Sequence, residues 1–428
     1  MNKKPKRKLY WRKLDDQAKV FALASNNKYS SIFRLSVVLK EEINEKILGE
    51  ALKLTLQKYK VFKVKMRKGF FWYYFEENDK NPIITVENDY PFKKINTKEN
   101  NDYLFKVTYF MNKINIDFFH ALTDGTGGLE FLNDLIYRYL ELKYPNELKE
   151  DRIKEDIILK ESENAYRKNY KFINEKKIKI GKAYLLKGES LQNGEFAINH
   201  FNINLNELKQ ISKENGCTIS AYLVAVIAYS IYETNYKVND GKRPINISVP
   251  ISLRKYFSSE TISNFFSYMI INLSVKSNKT YMFVDILNLV KKEFEKKMKV
   301  EKMVQTITKD AGSTNKVFIR VVPLLLKRIA VRIGSLELKK HFTSTFSNMG
   351  KVVVEEKYSK YIENFLVILA PDWAERVKCG VCSYGENLVL TFSTNLNGSS
   401  LECKVRDLLK ENNISFKIEG NGVNVISN

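Results

Sequence analysis

The sequence predicts an α+β protein built from two domains with mixed sheets. Its 428 residues exceed what a single hydrophobic core usually covers. Apolar residues recur at the two-residue spacing of strands in some segments and at the three- and four-residue spacing of helices in others. The two halves of the chain also share a loose plan of strands and helices, so each half is expected to form one domain.

The first half alternates strand-like and helix-like segments. The predicted elements, in chain order, are a short opening segment at 14–25, a strand at 32–39, a helix at 44–58, hairpins at 61–75 and 104–120, and an amphipathic helix from Leu129. A shift to charged residues over 146–194 predicts the connection between a first domain at 1–170 and a second at 171–428.

The second half repeats this plan and ends in a β-rich region. Helices are predicted at 206–214, 218–236 and 399–411, and residues 280–340 are mainly helical. The predicted strands lie at 196–203, 245–251, 265–273, 343–346, 365–369, 377–383 and 388–393.

The net charge of +22 would favour binding to a nucleic acid, to an anionic membrane surface, or to acidic cofactors and carrier proteins. Lysines are spread along the chain and no nucleic-acid motif accompanies them, so we do not expect nucleic-acid binding. The densest basic cluster is predicted to be a solvated arm and consists of Lys3, Lys4, Lys6, Arg7 and Lys8.

A basic and apolar stretch at Val317–Ile333 leaves two interpretations open. It could lie on a membrane surface as a peripheral contact. We favour a helix packed on the protein body, with basic side chains that extend their charged ends to solvent. Pro323 is expected to kink or restart this helix.

The four cysteines and the N-terminus favour a cytoplasmic protein with reduced thiols, because no apolar segment typical of a secretion signal follows the N-terminal charges. Cys379 and Cys382 have the spacing of a redox or zinc pair, but no second pair follows, so we interpret them as structural. No apolar run is long enough to span a bilayer, and Ala221–Ile231 is predicted to be a buried helix. We expect a monomer without a bound metal.

The candidate active site lies at His120, one of three histidines in the chain. Ile114, Ile116, Phe118 and His120 alternate along a predicted strand, so the histidine faces the apolar side at the strand's end. A glycine-rich turn and a helix follow, and the positive end of that helix would disfavour a charged imidazole. A neutral histidine is a suitable general base near neutral pH. Asp124 could orient the ring or anchor the turn.

The segment His120-Ala121-Leu122-Thr123-Asp124-Gly125 resembles the HxxxDG signature of the CoA-dependent acyltransferase superfamily. That superfamily includes chloramphenicol acetyltransferase, alcohol acetyltransferases and peptide-synthetase condensation domains. Pro250–Arg254, Asn264-Phe265 and Ser347-Asn348-Met349-Gly350 resemble its second-half motifs, particularly those of the alcohol acetyltransferase branch. The resemblance implies two chloramphenicol-acetyltransferase-like domains with a tunnel between them.

The resemblance also implies a reaction. His120 would deprotonate an alcohol or amine, with oxygen acceptors favoured. The acceptor would then attack an acyl thioester on CoA, or on the phosphopantetheine of an acyl carrier protein. No covalent enzyme intermediate and no tightly bound cofactor are implied.

For the remaining motif residues the resemblance implies supporting roles. Asp124, followed by Gly125, would be chiefly structural through an ion pair, for which Arg254 is our candidate partner. Ser347, Asn348 and Gly350 would lie near the reaction centre, where Asn348 or a backbone N–H would stabilise the oxyanion.

Two departures from the superfamily pattern and two rival hypotheses complete the prediction. Phe119 stands where condensation domains usually carry a first histidine, and Ser347–Gly350 replaces the DFGWG stretch of plant acyltransferases.

The first rival is a non-catalytic relative that binds a carrier protein or a pantetheine ligand. The second is a nucleic-acid or membrane-surface binder driven by charge.

Overall fold

The computed structural model describes residues 10–26, 31–93, 95–148, 163–169, 181–192, 194–298 and 321–427. Four predictions fall wholly or partly outside these residues: the basic arm at 3–8, most of the charged connection at 146–194, the middle of the mainly helical region at 280–340, and the first part of the stretch at 317–333.

The described elements follow the predicted alternation of strands and helices. In chain order they are β1 (Trp11–Lys13), α1 (Asp16–Ala24), β2 (Ile32–Leu39), α2 (Glu45–Lys58), β3 (Val64–Lys68), β4 (Tyr73–Glu77), β5 (Ile84–Val86), β6 (Phe105–Phe110), β7 (Lys113–Phe119), α3 (Gly125–Lys143), α4 (Ala165–Lys168), β8 (Ala197–Asn204), α5 (Leu205–Glu214), α6 (Ile219–Ile231), β9 (Ile245–Ser252), β10 (Phe266–Leu273), α7 (Phe283–Lys297), α8 (Leu324–Lys339), β11 (Ser344–Lys351), α9 (Glu356–Ser359), β12 (Ile362–Leu369), β13 (Val377–Tyr384), β14 (Asn387–Thr394), α10 (Ser400–Glu411) and β15 (Phe416–Gly420).

The strands of the described residues form three sheets. A small one has the order β1-β4-β3, a five-stranded one the order β12-β2-β7-β6-β5, and a seven-stranded one the order β10-β9-β11-β13-β14-β8-β15. The two larger sheets are mixed, because β5–β6, β9–β11 and β11–β13 are parallel pairs and the other pairs are antiparallel. The predicted fold class, an α+β architecture with mixed sheets, is therefore confirmed.

Strand β12 does not follow the predicted division of the chain at 170 and 171. It lies in the second half of the sequence, yet it pairs antiparallel with β2 and forms the edge of the sheet built by the first half. Its apolar side chains, such as Phe365 and Val367, join the core of that half. The boundary itself stays a prediction, but the first sheet is completed by a strand that the sequence assigned to the second domain.

The two larger sheets approach each other closely where β12 lies against β13. A Cβ atom added at Gly380 would lie 2.0 Å from the carbonyl oxygen of Val367, so only glycine fits this contact. The Cys382 thiol donates to the carbonyl oxygen of Phe365 nearby, at 3.1 Å. Burial raises the pKa of Cys382 to about 12, which suits the predicted structural role of this cysteine.

The helices complete the layers around these sheets. Helix α3 packs on α2 and on β2, and α6 packs between α7 and α10 over the seven-stranded sheet. In the described part of the chain no single helix has the length and hydropathy of a membrane span; α5 and the segment 219–236 meet that criterion only as a pair bent by 86°.

Candidate active site

The predicted strand–turn–helix is present around His120. Strand β7 ends at Phe119 and helix α3 begins at Gly125, with Asp124 as its N-cap residue. Asp124 Oδ1 accepts a hydrogen bond from the Gly127 N–H at 3.1 Å, which satisfies one of the free amides at the helix start. A Cβ at Gly127 would lie 2.1 Å from the Ile262 carbonyl oxygen, so the turn packs closely against the second half of the chain.

The other oxygen of Asp124 links the helix start to the segment before β10. Asp124 Oδ2 accepts from Arg254 Nη1 at 2.8 Å and from the Phe265 N–H at 2.8 Å. The same guanidinium also donates to the carbonyl oxygens of Thr261 and Ser263, at 2.9 and 2.7 Å. The structure thus brings together the two residues that the resemblance paired, in a buried bonding arrangement that braces the turn.

The Asn264 side chain forms a hydrogen bond with the His120 ring. Asn264 Oδ1 lies 3.1 Å from His120 Nδ1, and Asn264 Nδ2 donates to the His120 carbonyl oxygen at 3.0 Å and to Asp15 Oδ2 at 3.3 Å. The amide NH₂ must face these two oxygens, so its own oxygen faces the ring. Nδ1 therefore carries the proton, and Nε2 is left as the basic nitrogen.

Aromatic rings surround the imidazole. Phe21 stacks on it with 4.2 Å between ring centroids, and the Phe33 and Phe266 rings lie at 4.9 and 5.3 Å. Burial lowers the pKa of His120 below its usual 6.5, and Asp124 and Asn264 only partly offset this effect. The ring is neutral near pH 7, as the sequence predicted, but burial rather than the helix start is the main cause.

All the predicted site residues line one cavity of about 1160 Å³. They are His120, Asp124, Gly125, Arg254, Ser347, Asn348 and Gly350. The walls come from both halves of the chain, and many lining side chains are apolar or aromatic, including Phe33, Phe196 and Phe342. A cavity of this size suits a ligand larger than most drug-sized molecules.

The Ser347–Gly350 segment belongs to β11 and contacts the start of α3. A Cβ added at Gly125 would lie 2.6 Å from Met349 Sδ, so the two motifs touch across the cavity wall. The Asn348 amide donates to Ser220 Oγ at 3.0 Å and accepts from the Gly350 N–H at 2.8 Å. These bonds hold the Asn348 side chain in place, and its assignment as an oxyanion donor stays a prediction.

A buried charged cluster on the same cavity was not predicted. Lys339 and Lys378 contact Asp372 at 3.0 and 3.4 Å, and Lys378 also contacts Glu375 at 3.3 Å. Burial alone would raise the pKa of Asp372, but the two lysines lower it to about 2. Asp372, Glu375 and Lys378 lie three residues apart in the loop before β13 and at its start, whereas Lys339 comes from α8 and is remote in sequence.

The other two histidines lie away from this arrangement. His200 Nδ1 contacts Thr391 Oγ1 at 2.8 Å between two strands, and His341 Nδ1 contacts the Gly181 carbonyl oxygen at 3.0 Å. Within the ranges that the structure describes, no group of three or more His, Cys, Asp or Glu side chains could hold a metal ion.

Comparison with known proteins gives one family match. The model of the alcohol acetyltransferase family matches residues 169–365. No curated protein sequence matches the chain.

Solved structures match nearly the whole chain at low identity. Trichothecene 15-O-acetyltransferase TRI3 of Fusarium sporotrichioides is 11% identical, with a TM-score of 0.60 and 94% coverage of both chains. TRI101 of F. sporotrichioides, solved with coenzyme A and T-2, is 10% identical, with a TM-score of 0.61 and coverage of 95% of this chain and 99% of that one. The starter condensation domain of rhizomide synthetase, solved with C8-CoA, is 12% identical, with a TM-score of 0.60 and 94% coverage of both.

These matches agree with the motifs around His120 and in the second half of the sequence. The structural neighbours show the fold, and the family model covers the segment that contains Arg254, Asn264 and Ser347–Gly350. The resemblance found in the sequence is therefore confirmed: the chain has the fold of these acetyltransferases and of the condensation domain, and residues 169–365 match the alcohol acetyltransferase family model.

Proposed function

We propose that this protein transfers an acyl group from a CoA thioester to the hydroxyl group of an alcohol, with His120 as the general base. The observation that carries the proposal is the His120 ring, which lines the cavity while Asn264 holds its Nδ1. This leaves a neutral ring with Nε2 free to accept a proton from the acceptor. Two structural neighbours were solved with CoA ligands, which supports a CoA thioester as the donor. The alcohol acetyltransferase match supports an alcohol as the acceptor.

The proposed reaction proceeds in two proton-coupled steps. His120 Nε2 takes the proton of the acceptor hydroxyl as its oxygen attacks the thioester carbonyl carbon. The tetrahedral intermediate then collapses, the carbon–sulfur bond breaks, and the imidazolium returns the proton to the leaving thiolate. The products are an ester and free CoA, so no cofactor is consumed.

The residues around His120 have separate roles in this proposal. Asp124 and Arg254 hold the turn, because both Asp124 oxygens accept hydrogen bonds from the chain and one of them binds Arg254. The aromatic side chains of Phe21 and Phe266 exclude water from the ring and suit an apolar acyl chain or alcohol. An acyl carrier protein is a second donor source, and amines are the less favoured acceptors.

A free-thiol release assay tests the proposal. It combines acyl-CoAs of several chain lengths with short alcohols, long alcohols and amines. We expect His120→Ala to lower turnover by about 10²–10⁴-fold, the usual contribution of a general base. His341→Ala is the matched control, because His341 lies outside the cavity lining, and it should release CoA at the wild-type rate.

Folding of both variants is checked by thermal unfolding. A folded His120→Ala protein that releases CoA as fast as the wild type would contradict the base role. A wild-type protein that binds acyl-CoA but turns over with none of the acceptors would favour the non-catalytic alternative.

A further inference from the structure

Helix α8 turns its apolar side chains outward. Leu325, Ile329, Ile333 and Leu336 are spaced by four, four and three residues, which places them on one face of the helix. Their exposed fractions are 66%, 51%, 64% and 49%. The apolar face of α2, in contrast, is buried. We call these four side chains the α8 stripe.

The tip of the β3–β4 hairpin extends this surface with aromatic rings. Phe70 and Phe71 are 73% and 41% exposed, and their ring centroids are 4.8 Å apart. The tip is fixed to the start of α8, because the Leu324 N–H donates to the Phe70 carbonyl oxygen at 3.0 Å and Lys327 Nζ donates to the Phe71 carbonyl oxygen at 2.9 Å. The rings and the stripe therefore belong to one rigid surface.

Basic side chains flank the stripe. Arg328 and Arg332 lie one helical turn apart on the neighbouring face of α8, and both line a second cavity of about 700 Å³ together with Lys68. Arg332 Nη2 donates to the Ser25 carbonyl oxygen at 2.9 Å, and the buried Nε atom of each arginine has no hydrogen-bond partner. A surface with an apolar centre, aromatic rings and flanking cations matches the interface of an anionic bilayer, where apolar side chains enter the acyl region and cations meet phosphates.

We propose that α8 and the β3–β4 tip dock this protein on an anionic phospholipid membrane. The helix would lie in the plane of the interface, with the α8 stripe in the acyl boundary and Arg328 and Arg332 at the headgroups. The net charge of +22 adds long-range attraction to such a surface. A second copy of the chain is a poorer occupant, because it would bring a second set of these arginines and the same net charge against the first.

Docking would also bring lipid close to the active-site cavity. Ser335 and Leu338, near the C-terminal end of α8, line the cavity that contains His120. The docked protein could then take apolar substrate from the membrane. The docking proposal itself concerns binding and does not depend on the proposed reaction.

Vesicle flotation with the full chain tests this proposal. The probes are vesicles of phosphatidylcholine alone and vesicles of equal parts phosphatidylcholine and phosphatidylglycerol. We expect the wild type to float with the anionic vesicles. Leu325→Ser/Ile329→Ser/Ile333→Ser should lower the partition coefficient by at least about tenfold, because three apolar side chains no longer enter the bilayer. Arg328→Gln/Arg332→Gln should bind more weakly and with a shallower salt dependence.

The matched control removes equally exposed aliphatic side chains elsewhere. Val238→Ser/Val353→Ser/Val425→Ser changes residues that are 73%, 71% and 76% exposed, and it should float as the wild type does. Thermal unfolding shows that each variant is folded. The proposal is overturned if the wild type does not bind anionic vesicles, if the stripe variant binds as tightly as the wild type, or if sedimentation shows a dimer that the stripe variant disrupts without vesicle binding.

Discussion

Asn264 connects the His120 ring to a carboxylate from the beginning of the chain. Its amide contacts the ring and the carbonyl oxygen of His120, and it also donates to Asp15, the N-cap residue of α1. Burial raises the pKa of Asp15 to about 6, against the opposing effects of its hydrogen bonds and Arg12. Three separate segments of the chain thus determine the orientation of one imidazole.

We expect Asn264→Ala to lower kcat by on the order of 10–100-fold, because the ring loses the group that fixes its tautomer and direction. The hydrogen bond that His120 Nδ1–H donates to Asn264 Oδ1 raises the pKa of His120, so its loss should also move the acid limb of the kcat/KM profile to lower pH. For the wild type we expect that limb below pH 6.5, because burial lowers the pKa of His120. Steady-state kinetics over pH measures both effects.

Asn272→Ala is the control, since its amide donates to Asn246 within the same sheet and does not contact His120. It should change neither kcat nor the position of the acid limb. An Asn264→Ala profile that superimposes on the wild-type profile would show that the ring does not depend on this amide.

Sequence patterns located the proposed base, His120, better than they located the side chains around it. Strand alternation placed His120 on the apolar side, and the resemblance paired Asp124 with Arg254. The sequence indicates Asn264 only as part of a motif and does not predict its contact with His120. The two residues lie 144 positions apart, and side-chain contacts at such a separation leave no local periodicity. The stacking of Phe21 on His120 was not predicted, because a single aromatic residue in a short helix is typical of any hydrophobic core.

The start of helix α3 packs closely against the segment that contains Ile262. The Gly127 backbone lies against the Ile262 carbonyl oxygen, and Thr123 Oγ1 donates to that same oxygen at 2.6 Å. A side chain at this position would push α3 away from the segment that carries Asn264 and Arg254.

We therefore expect Gly127→Ala to lower the free energy of unfolding by about 1–3 kcal/mol, the usual cost of overpacking. Gly49→Ala is the matched control, because Gly49 lies inside α2 and a Cβ there meets no atom within 4 Å. That variant should gain about 0.5–1 kcal/mol, since alanine suits a helix interior better than glycine. Urea unfolding compares the two, and equal stabilities would contradict the packing explanation.

Elements with long periodic patterns were predicted well, and short ones were not. The sequence predicted α2, α3, α6 and the β6–β7 hairpin with ends that differ by only a few residues. It missed β1, β5 and β15, which have three to five residues and too few alternations to detect. It predicted a strand at 365–369 but placed it in the second domain, because which sheet a strand joins depends on contacts far away in the sequence.

For the molecule as a whole, a partly buried histidine in the seven-stranded sheet, His200, couples stability to pH. Burial, and then the charge of Lys113, lower the pKa of His200 to about 3. The unfolded chain titrates at its usual value near 6.5, so between these two values the unfolded state binds more protons than the folded state. The contribution of His200 is complete above pH 6.5 and is lost as the pH falls toward 3.

We expect His200→Asn to reduce the loss of stability between pH 6.5 and pH 4 by on the order of a few kcal/mol. The asparagine amide can still contact Thr391 Oγ1 but does not titrate. Urea unfolding at several pH values measures the slope. Parallel slopes for the wild type and the variant would mean that His200 is not the coupled group.

Strand β12 is synthesised long after the other strands of the sheet that it completes. A chain leaves the ribosome from its N-terminus, and β2 with its partner β7 emerges long before residue 369. Until β12 arrives, one edge of β2 stays open to pairing with other chains. The nascent first half therefore exposes an unpaired edge of β2 until residues 362–369 emerge, and its sheet is completed only by this late strand.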